Sequence, residues 1–359
     1  MEELFDQIEM LSKTERRVAM ATLVATRGTG PKKEGAKMWV GEQGRILGSV
    51  TIGGCVDGRV IEESEEALTS SRPRLLSIDL GEEDAWETGF TCAGTIQVMI
   101  EPLDLADSGS HLLALYQTVR DEVKQGRCAA IATLLGNTRS KMTIFEDGRA
   151  EGTLGDAALD EQSRAVALDL IGKRASRTIM LAATSSPAEV FFEVLGPSPT
   201  LIVFGAGHIS MPLVNLSKDL GLKTIVVDGR PRFATRERFP RADELIVGIP
   251  SEIARSLSYT SSTFVVLAAH DYKYDIPVLK TVLKTQAAYI GMLGSRRRGE
   301  AILKFLEESG CVAEALDRVH VPTGLDIGAQ TAAEIALSML AEAIAVKAGR
   351  PGTPMSSKK

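Results

Sequence analysis

Cysteine and long apolar runs are both scarce in this chain of 359 residues. The four cysteines are Cys55, Cys92, Cys128 and Cys311, and no two of them form a CxxC pair. Neither a zinc site nor a disulfide scaffold is therefore indicated, and free thiols in a reducing compartment are expected. No stretch approaches the roughly 20 apolar residues of a membrane span, and the acidic N-terminus has no signal-peptide core. A cytoplasmic protein without a membrane span is the simplest interpretation.

An excess of basic residues is also missing. The chain has 41 Lys and Arg against 47 Asp and Glu, a formal charge of -6, which disfavours a broad nucleic-acid-binding surface. A hydrophobic fraction of 44% and a charged fraction of 25% are ordinary for a globular protein and exclude the disordered and fibrous classes. We therefore expect a soluble globular protein with no nucleic-acid partner.

The length and pattern of the chain predict an α/β protein of two domains. Residues 1–195 are expected to form a mixed α/β domain with submodules at about 1–105 and 106–195, and no internal repeat is apparent. In residues 200–348, six apolar strands alternate with helices, one of them a short helix near "RFATRERF". This alternation predicts a doubly wound parallel sheet of the Rossmann type, with ligands at the carboxyl ends of its strands. Residues 349–359 are expected to form a flexible tail.

The segment "VFGAGHISM", residues 203–211, begins as a dinucleotide-binding fingerprint. Gly205 suits the tight turn, Gly207 admits a phosphate to the helix start, and Ser210 stands where the third glycine is expected. Asp228 ends the second strand about 20 residues later, where an acid contacts a ribose, although it could instead cap a following helix. His208, inside the turn, could donate to a phosphate or face solvent. The spacing favours a phosphate-binding turn.

Further candidate ligand contacts follow the fourth and fifth strands of the predicted sheet. His270 and Asp271 follow the fourth strand in "LAAHDYKYD". The fifth strand leads into a helix opened by Gly294, Ser295, Arg296, Arg297 and Arg298. An arginine run is usually a solvated face, but at a helix N-terminus beside a crevice it can clamp an anion. We expect at least one of these arginines to contact a phosphate.

The stretch "SVTIGGCVDG", residues 49–58, places a cysteine in a turn between a strand and a helix. Gly53 and Gly54 before Cys55 would permit the close approach of a cofactor, and a helix start favours an ionised thiol. Asp57 is expected to cap the helix. Cys92, in "GFTCAGT", has a similar setting, whereas Cys128 and Cys311 are expected to be structural. The alternative interpretation is that Cys55 and Cys92 are small buried hydrophobic residues.

Taken together, the motifs resemble those of the xanthine dehydrogenase accessory protein family, of the XdhC/CoxI type. The matching segments are "GPKKEGAKM", "GSVTIGGCVDGRV", "CAGTIQVMIEPL", "VFGAGHISMPL", "VVDGRPRFATRERFP", "AAHDYKYDIPVL", "YIGMLGSRRR" and "PTGLDIGAQTAAEIALSMLAEAIA". They span nearly the whole chain in order. Two departures are Thr51 and Ile52 before the paired glycines, where the family more often has a glycine triplet, and "TCAGT" in place of "GCGGT".

The resemblance implies an XdhC/CoxI domain joined to a Rossmann-type domain, usually as a dimer. It implies a maturation factor with a non-catalytic or quasi-catalytic role that binds the molybdenum cofactor, as molybdopterin or its dinucleotide form. The factor holds the cofactor while a cysteine desulfurase supplies its sulfido ligand, and inserts it into a molybdenum hydroxylase of the xanthine or carbon monoxide dehydrogenase type.

A site hypothesis follows from the motifs and the resemblance together. The cofactor phosphate would rest on the turn at Gly205–Ser210, and Cys55, with Cys92 second, would be a molybdenum ligand or sulfur relay. Two alternatives remain open: an NAD(P)-dependent oxidoreductase that uses His208 or His270, and a nucleotide-sensing regulatory protein.

Overall fold

A computed structural model of the chain describes residues 2–28, 34–51, 56–80, 94–107, 109–184, 186–269 and 272–357. The chain divides into two compact units, Met1–Pro197 and Ser198–Lys359. Each unit encloses its own hydrophobic core. None of the helices within the described ranges combines the length and the apolarity needed to cross a membrane.

Within its described residues, the first unit has ten strands and four helices. Its elements are α1 (Glu2–Leu11), β1 (Arg17–Gly28), β2 (Lys37–Gly41), β3 (Ile46–Gly48), α2 (Asp57–Ser70), β4 (Arg74–Asp79), β5 (Gly94–Asp104), α3 (His111–Lys124), β6 (Ala129–Leu134), β7 (Lys141–Phe145), β8 (Ala150–Gly152), α4 (Ala157–Lys173), β9 (Arg177–Leu181) and β10 (Ala188–Leu195). The strands form two antiparallel sheets of five, with the orders β3-β2-β1-β5-β4 and β8-β7-β6-β10-β9. The predicted mixed α/β class is confirmed, although the sequence pattern misses β8, because three residues are too few to show a period.

The central strand β1 is buried on both faces, which explains why its sequence reads as a continuous apolar run. Ala19, Ala21 and Leu23 pack with the apolar face of α2. Val18 and Met20 point the other way and pack with residues of the second sheet. The two sheets are therefore joined through the face of each sheet that its own helix, α2 or α4, does not cover.

The two sheets repeat one topology. Each is built as strand, strand, strand, helix, strand, strand, and a helix precedes each set. The register matches as well, because a Thr–Lys pair on the first two strands recurs, and so does a Glu on the fifth strand. The equivalent residues are Thr22 and Thr133, Lys37 and Lys141, and Glu101 and Glu193. The first unit is thus an internal duplication in structure that the sequence does not reveal.

The repeated lysines and glutamates exchange partners between the sheets. Lys37 Nζ of the first sheet lies 3.0 Å from Glu193 Oε1 of the second, and Lys141 Nζ of the second lies 3.0 Å from Glu101 Oε1 of the first. All four side chains are less than a tenth exposed, and each lysine also donates to the threonine opposite it in its own sheet. Buried charges persist only when they are paired, so these reciprocal ion pairs specify how the sheets face each other.

The two halves differ in one buried hydroxyl group, which is present in the second half and absent from the first. Tyr116 of α3 donates to Glu193 Oε2 at 2.7 Å. The residue at the equivalent place in α1 is Phe5, which has no hydroxyl to donate. Within the described residues, Glu101 Oε2 is buried and accepts no hydrogen bond. The second-half carboxylate is therefore better satisfied than its first-half counterpart.

Burial and the negative charges of Glu193 and Glu101 raise the pKa of Tyr116 well above its ordinary value. An unfolded tyrosine ionises at a pKa of about 10, whereas folded Tyr116 keeps its proton to higher pH. The stability that Tyr116 contributes is therefore fully present below about pH 10 and is lost as the pH rises toward the folded-state pKa.

We expect the unfolding free energy of the first unit to fall above about pH 10, this proton contributing a slope of about 1.4 kcal/mol per pH unit. Both tryptophans, Trp39 and Trp86, belong to the first unit, so urea unfolding followed by tryptophan fluorescence between pH 8 and 11 measures it. Tyr116→Phe should show a shallower fall than the wild type. Equal slopes would mean that Tyr116 does not hold its proton in the folded state.

The second unit is a parallel sheet of six strands covered on both faces. Its elements are β11 (Thr200–Phe204), α5 (Ser210–Asp219), β12 (Lys223–Asp228), β13 (Glu244–Val247), α6 (Pro250–Ser256), β14 (Thr263–Leu267), α7 (Tyr272–Val282), β15 (Tyr289–Met292), α8 (Arg296–Glu308), α9 (Ala313–Leu316), β16 (Val319–His320) and α10 (Ala332–Lys347). The strand order β13-β12-β11-β14-β15-β16 and the parallel pairing confirm the predicted doubly wound sheet.

Successive residues of β11 point to opposite layers, as a parallel strand requires. Ile202 and Phe204 pack on one face with α6, α7 and α8, whereas Leu201 and Val203 pack on the other with α5 and α10. The chain leaves β11 in one direction for β12 and returns on its other side as β14. The crevice at the carboxyl ends of β11 and β14 is the switch point where such sheets bind ligands.

Two local predictions are wrong. The segment near "RFATRERF" forms turns and no helix. Arg236 donates to the backbone carbonyls of Ala242 and Asp243 beyond it, and Arg238 donates to that of Phe233, which holds the segment in a compact loop. Asp57 does not cap α2: it is the first helical residue, and the position before it, Val56, makes no side-chain cap. Its carboxylate instead accepts a hydrogen bond from Ser49 Oγ at 3.0 Å.

Candidate functional site

The turn after β11 can be built only with glycine at its first position. Gly205 has φ +115, and a Cβ atom there would lie 2.7 Å from the carbonyl carbon of Ala268 and 2.8 Å from the nitrogen of Ala269. Its N–H donates to Val227 O at 2.8 Å. Among the described residues, a Cβ atom at Gly207 would meet only Ala268 O at 3.8 Å, so on their side the outer face of the turn is open. An open backbone before a helix is the geometry that phosphate-binding turns use.

Ser210 replaces the third glycine of the fingerprint and has a structural role. Its side chain is fully buried, and Oγ donates to Gly205 O at 2.5 Å. It is also the first residue of α5, whose preceding residue, Ile209, provides no side-chain cap. The hydroxyl therefore closes the turn onto the helix start, and the exposed His208 lies on the outside of the same turn.

Asp228, at the end of β12, is almost fully buried and makes four hydrogen bonds. Oδ2 accepts from Ala206 N at 2.7 Å and from Arg230 Nη2 at 2.8 Å, and Oδ1 accepts from the N and Nε of Arg230 at 2.8 and 2.9 Å. Burial by itself would raise the pKa of Asp228, but the hydrogen bonds from Arg230 and Ala206 outweigh it, and the pKa is lowered. The carboxylate is ionised and ties the glycine turn to Arg230.

A cavity of about 230 Å³ opens beside this carboxylate at the switch point. The residues that line it come from the ends of β11, β12 and β14 and from α6 and α7: Phe204, Gly205, Asp228, Gly229, Arg230, Pro250, Ala269, Tyr274, Asp275 and Val278. Its volume lies below the roughly 300–1,000 Å³ of pockets that enclose a drug-sized ligand.

The predicted residues at the start of α8 connect to this cavity through one ion pair. Arg298 Nη2 lies 2.6 Å from Oδ2 of the buried Asp275, which lines the cavity. Ser295 caps α8, accepting from the N–H of Arg298 at 3.3 Å, after Gly294. The side chains of Arg296 and Arg297 are exposed. The structure therefore brings Gly205, Asp228 and the partner of Arg298 together, and leaves two arginines facing solvent.

Six candidate residues lie outside the described part of the chain: Gly53, Gly54, Cys55, Cys92, His270 and Asp271. Among the residues that are described, no group of three or more His, Cys, Asp or Glu side chains could hold a metal ion. Cys128 and Cys311 are free thiols, one buried and one half-buried.

The described strand ends that flank the two candidate cysteines lie at the same end of the first sheet. The residue pairs at this end are Gly28 with Gly94, Asp79 with Thr95, and Gly48 with Met38. A cavity of about 340 Å³ opens there, with Ser49 and the ion-paired Lys37 and Glu193 among its lining residues. The antiparallel topology thus brings the chain on either side of both cysteines to the same end of the sheet.

At this end of the sheet, two connections are longer in the first half of the unit than their counterparts in the second half. The connection from β3 to α2, residues 49–56, is longer than its counterpart from β8 to α4, residues 153–156. The connection from β4 to β5, residues 80–93, is likewise longer than residues 182–187 between β9 and β10. Each longer connection contains one of the two candidate cysteines. Extra loop length on a shared scaffold is a common feature of binding and catalytic sites.

Sequence reasoning missed three polar residues of the switch-point cavity: Arg230, Tyr274 and Asp275. A signal was present for Arg230, because it follows the strand-terminal acid by two residues in "DGRP". Asp275 lies in α7 directly after the fourth strand, in the same segment as His270 and Asp271. Tyr274 and Asp275 could not be assigned to the cavity without knowing which side of the sheet α7 covers.

The strand order, glycine turn and strand-terminal acid define a Rossmann-type unit, and matches to known families identify the chain further. Residues 201–343 match the XdhC Rossmann domain, and residues 11–79 match the XdhC and CoxI family. This chain belongs to the XdhC and CoxI family.

Similar proteins cover nearly the whole chain. A Bacillus subtilis (strain 168) protein named as a probable xanthine dehydrogenase subunit is 30% identical over 339 residues, which are 94% of this chain and 95% of that protein. The molybdenum cofactor insertion chaperone PaoD of Escherichia coli (strain K12) is 26% identical over 91% of this chain and 83% of its own. A crystal structure of a xanthine dehydrogenase from Bacillus halodurans has a TM-score of 0.78 and 28% identity, and covers 98% of this chain and 97% of that one.

Proposed function

We propose that this chain is a chaperone that holds the molybdenum cofactor, assists its sulfuration and inserts it into a molybdenum hydroxylase. The observation that carries the proposal is the cavity at the switch point beside the glycine turn, in a family whose relative PaoD is a cofactor insertion chaperone. A pterin is a bicyclic ring of about the size of this cavity, and its phosphate matches the open backbone at Gly207. The cofactor is the cargo of the protein.

The exposed guanidinium groups of Arg296 and Arg297, at the start of α8, are proposed to supply positive charge to the phosphate or to the nucleotide of a dinucleotide form. His208, on the outside of the turn, is proposed as a further donor to the phosphate. His270 and Asp271, whose neighbour Ala269 lines the cavity, are proposed contacts of the ring.

The thiols of Cys55 and Cys92 are proposed to act on the molybdenum end of the cargo. The residues on either side of Cys55 are linked through Ser49, because its Oγ lies 2.6 Å from Thr51 O and 3.0 Å from Asp57 Oδ1. Molybdenum accepts thiolate, so Cys55 could serve as a ligand or pass on sulfur, with Cys92 second.

The proposed function includes partner proteins and a cellular location. The recipient is a hydroxylase of the xanthine or carbon monoxide dehydrogenase type, since a relative is named for a xanthine dehydrogenase. A cysteine desulfurase supplies the sulfur, and the chaperone works as a homodimer in the cytoplasm. An NAD(P)-dependent oxidoreductase that holds the ribose of its cofactor on the strand-terminal acid is less well supported, because all four acceptor positions of Asp228 are already used.

The test is retention of cofactor by the purified protein. Wild-type protein mixed with molybdenum cofactor and passed through a desalting column should keep the cofactor, measured as its oxidised fluorescent pterin, and should not keep NADH. Cys55→Ala should retain pterin but mature its hydroxylase at least tenfold less well, whereas Cys311→Ala should behave as wild type.

Retention of NADH without pterin would refute the chaperone function. Normal maturation by Cys55→Ala would refute the role of the thiol alone.

A further inference from the structure

The acid at the end of the second strand of a dinucleotide-binding sheet normally accepts hydrogen bonds from the two hydroxyls of a ribose. Asp228 occupies that place, at the end of β12 and facing the switch-point cavity. A ribose can bind there only if carboxylate lone pairs remain available. The hydrogen bonds of Asp228 therefore decide whether the cavity can take a nucleotide in the usual way.

No acceptor position of Asp228 is left. A carboxylate has about four lone-pair positions, and those of Asp228 are filled by Ala206 N and by the N, Nε and Nη2 atoms of Arg230. The guanidinium contacts both oxygens at 2.8–2.9 Å, the two-pronged geometry of the strongest arginine–carboxylate pairs. A ribose would have to displace this pair.

The guanidinium group of Arg230 also stacks on an aromatic ring. Its central carbon lies 3.9 Å from the centroid of the Phe233 ring, so the side chain is stacked on the loop that follows β12. Within the described residues, the Nη1 atom makes no hydrogen bond, and the side chain is 52% exposed at the cavity. Arg230 therefore presents a donor edge where an adenosine ribose would lie.

We propose that Arg230 is the residue that determines the specificity of the cavity. By filling Asp228 it closes the ribose position to NAD, and by its free donor edge it selects a ligand with an anionic group, such as a phosphate or pyrophosphate. This inference deepens the proposed function, on which it rests for the identity of the natural ligand. The probes that test it do not depend on that identity.

The experiment compares the wild type with Arg230→Ala and Arg230→Lys in the full-length protein. Arg232→Ala is the matched control, because Arg232 is an exposed arginine of the same loop and does not line the cavity. NADH binding is measured by its fluorescence and pyrophosphate binding by calorimetry, and thermal unfolding confirms that each variant is folded. Arg230→Lys keeps the charge but cannot make the two-pronged contact.

Arg230→Ala is expected to bind NADH at least tenfold more tightly than the wild type and pyrophosphate at least tenfold more weakly. Arg230→Lys should gain NADH affinity in part, and Arg232→Ala should match the wild type. Unchanged NADH affinity in Arg230→Ala, or an equal gain in Arg232→Ala, would overturn the proposal. If these predictions hold while the wild type fails to retain pterin, the proposed chaperone function falls and the role of Arg230 stands.

Discussion

Lys37→Met should lower the unfolding free energy of the first unit by about 3–5 kcal/mol, the typical cost of leaving one partner of a buried ion pair uncompensated. The lysine is removed, but the carboxylate of Glu193 stays between the sheets, where the hydroxyl of Tyr116 is its remaining donor among the described residues. Urea unfolding followed by tryptophan fluorescence isolates this unit, since Trp39 and Trp86 both belong to it.

The equivalent change in the second half should cost at least as much. Lys141→Met leaves Glu101 without the hydroxyl that Glu193 has, because Phe5 stands in the place of Tyr116. The two matched variants therefore test whether the duplication extends to the energetics.

A double variant separates the charge from the packing. Lys37→Met with Glu193→Gln keeps an acceptor for Tyr116 but leaves no buried charge at this pair, so it should be more stable than Lys37→Met alone. The coupling energy from the full double-mutant cycle should lie at about 0.5–3 kcal/mol. A double variant no more stable than the single one would show that the lysine matters only by filling space.

Gly205→Ala should destabilise the second unit by about 2–6 kcal/mol. A side chain at φ +115 strains the backbone by about 1–3 kcal/mol. Its Cβ atom also presses against the backbone at Ala268 and Ala269, and overpacking of this kind costs about 1–3 kcal/mol more. Scanning calorimetry measures the loss once the transition of the first unit has been assigned from tryptophan fluorescence.

Two other glycines supply the controls for Gly205. Gly221→Ala meets no atom within 4 Å but has φ +72, so it should show the backbone strain without the overpacking. Gly207→Ala has neither problem and should leave stability nearly unchanged, while it obstructs the open side of the turn and weakens ligand binding. Equal losses for all three variants would contradict the assigned role of Gly205.

The sequence predicted those features that depend on local pattern. Apolar strands alternating with helices predicted the six-stranded parallel sheet, and the strand order confirms it. The spacing from Gly205 to Asp228 predicted a glycine turn and a strand-terminal acid, and both residues line one cavity. These inferences succeed because a parallel strand and the helix after it are determined by residues close to one another in the chain.

Local pattern misled where a side chain reached a distant backbone. The helix expected near "RFATRERF" is a loop, because its arginines bond to carbonyl groups beyond one helical turn. Asp228, which the sequence offered as a ribose contact or a helix cap, also binds Arg230 and the glycine turn, and the local pattern did not predict these contacts. An arginine has several donors and a long side chain, so the residues next to it in the sequence do not determine which acceptor it binds.

The sequence by itself determined the class of the second unit, its glycine turn and the free state of the thiols at Cys128 and Cys311. Only the tertiary structure decided the duplication of the first unit, the exchange of Lys37 and Lys141 between Glu193 and Glu101, and the convergence of the strand ends that flank the candidate cysteines. The physical reason is that antiparallel sheets and buried charges join residues far apart in the chain, and no short-range pattern records which distant partner neutralises a buried lysine.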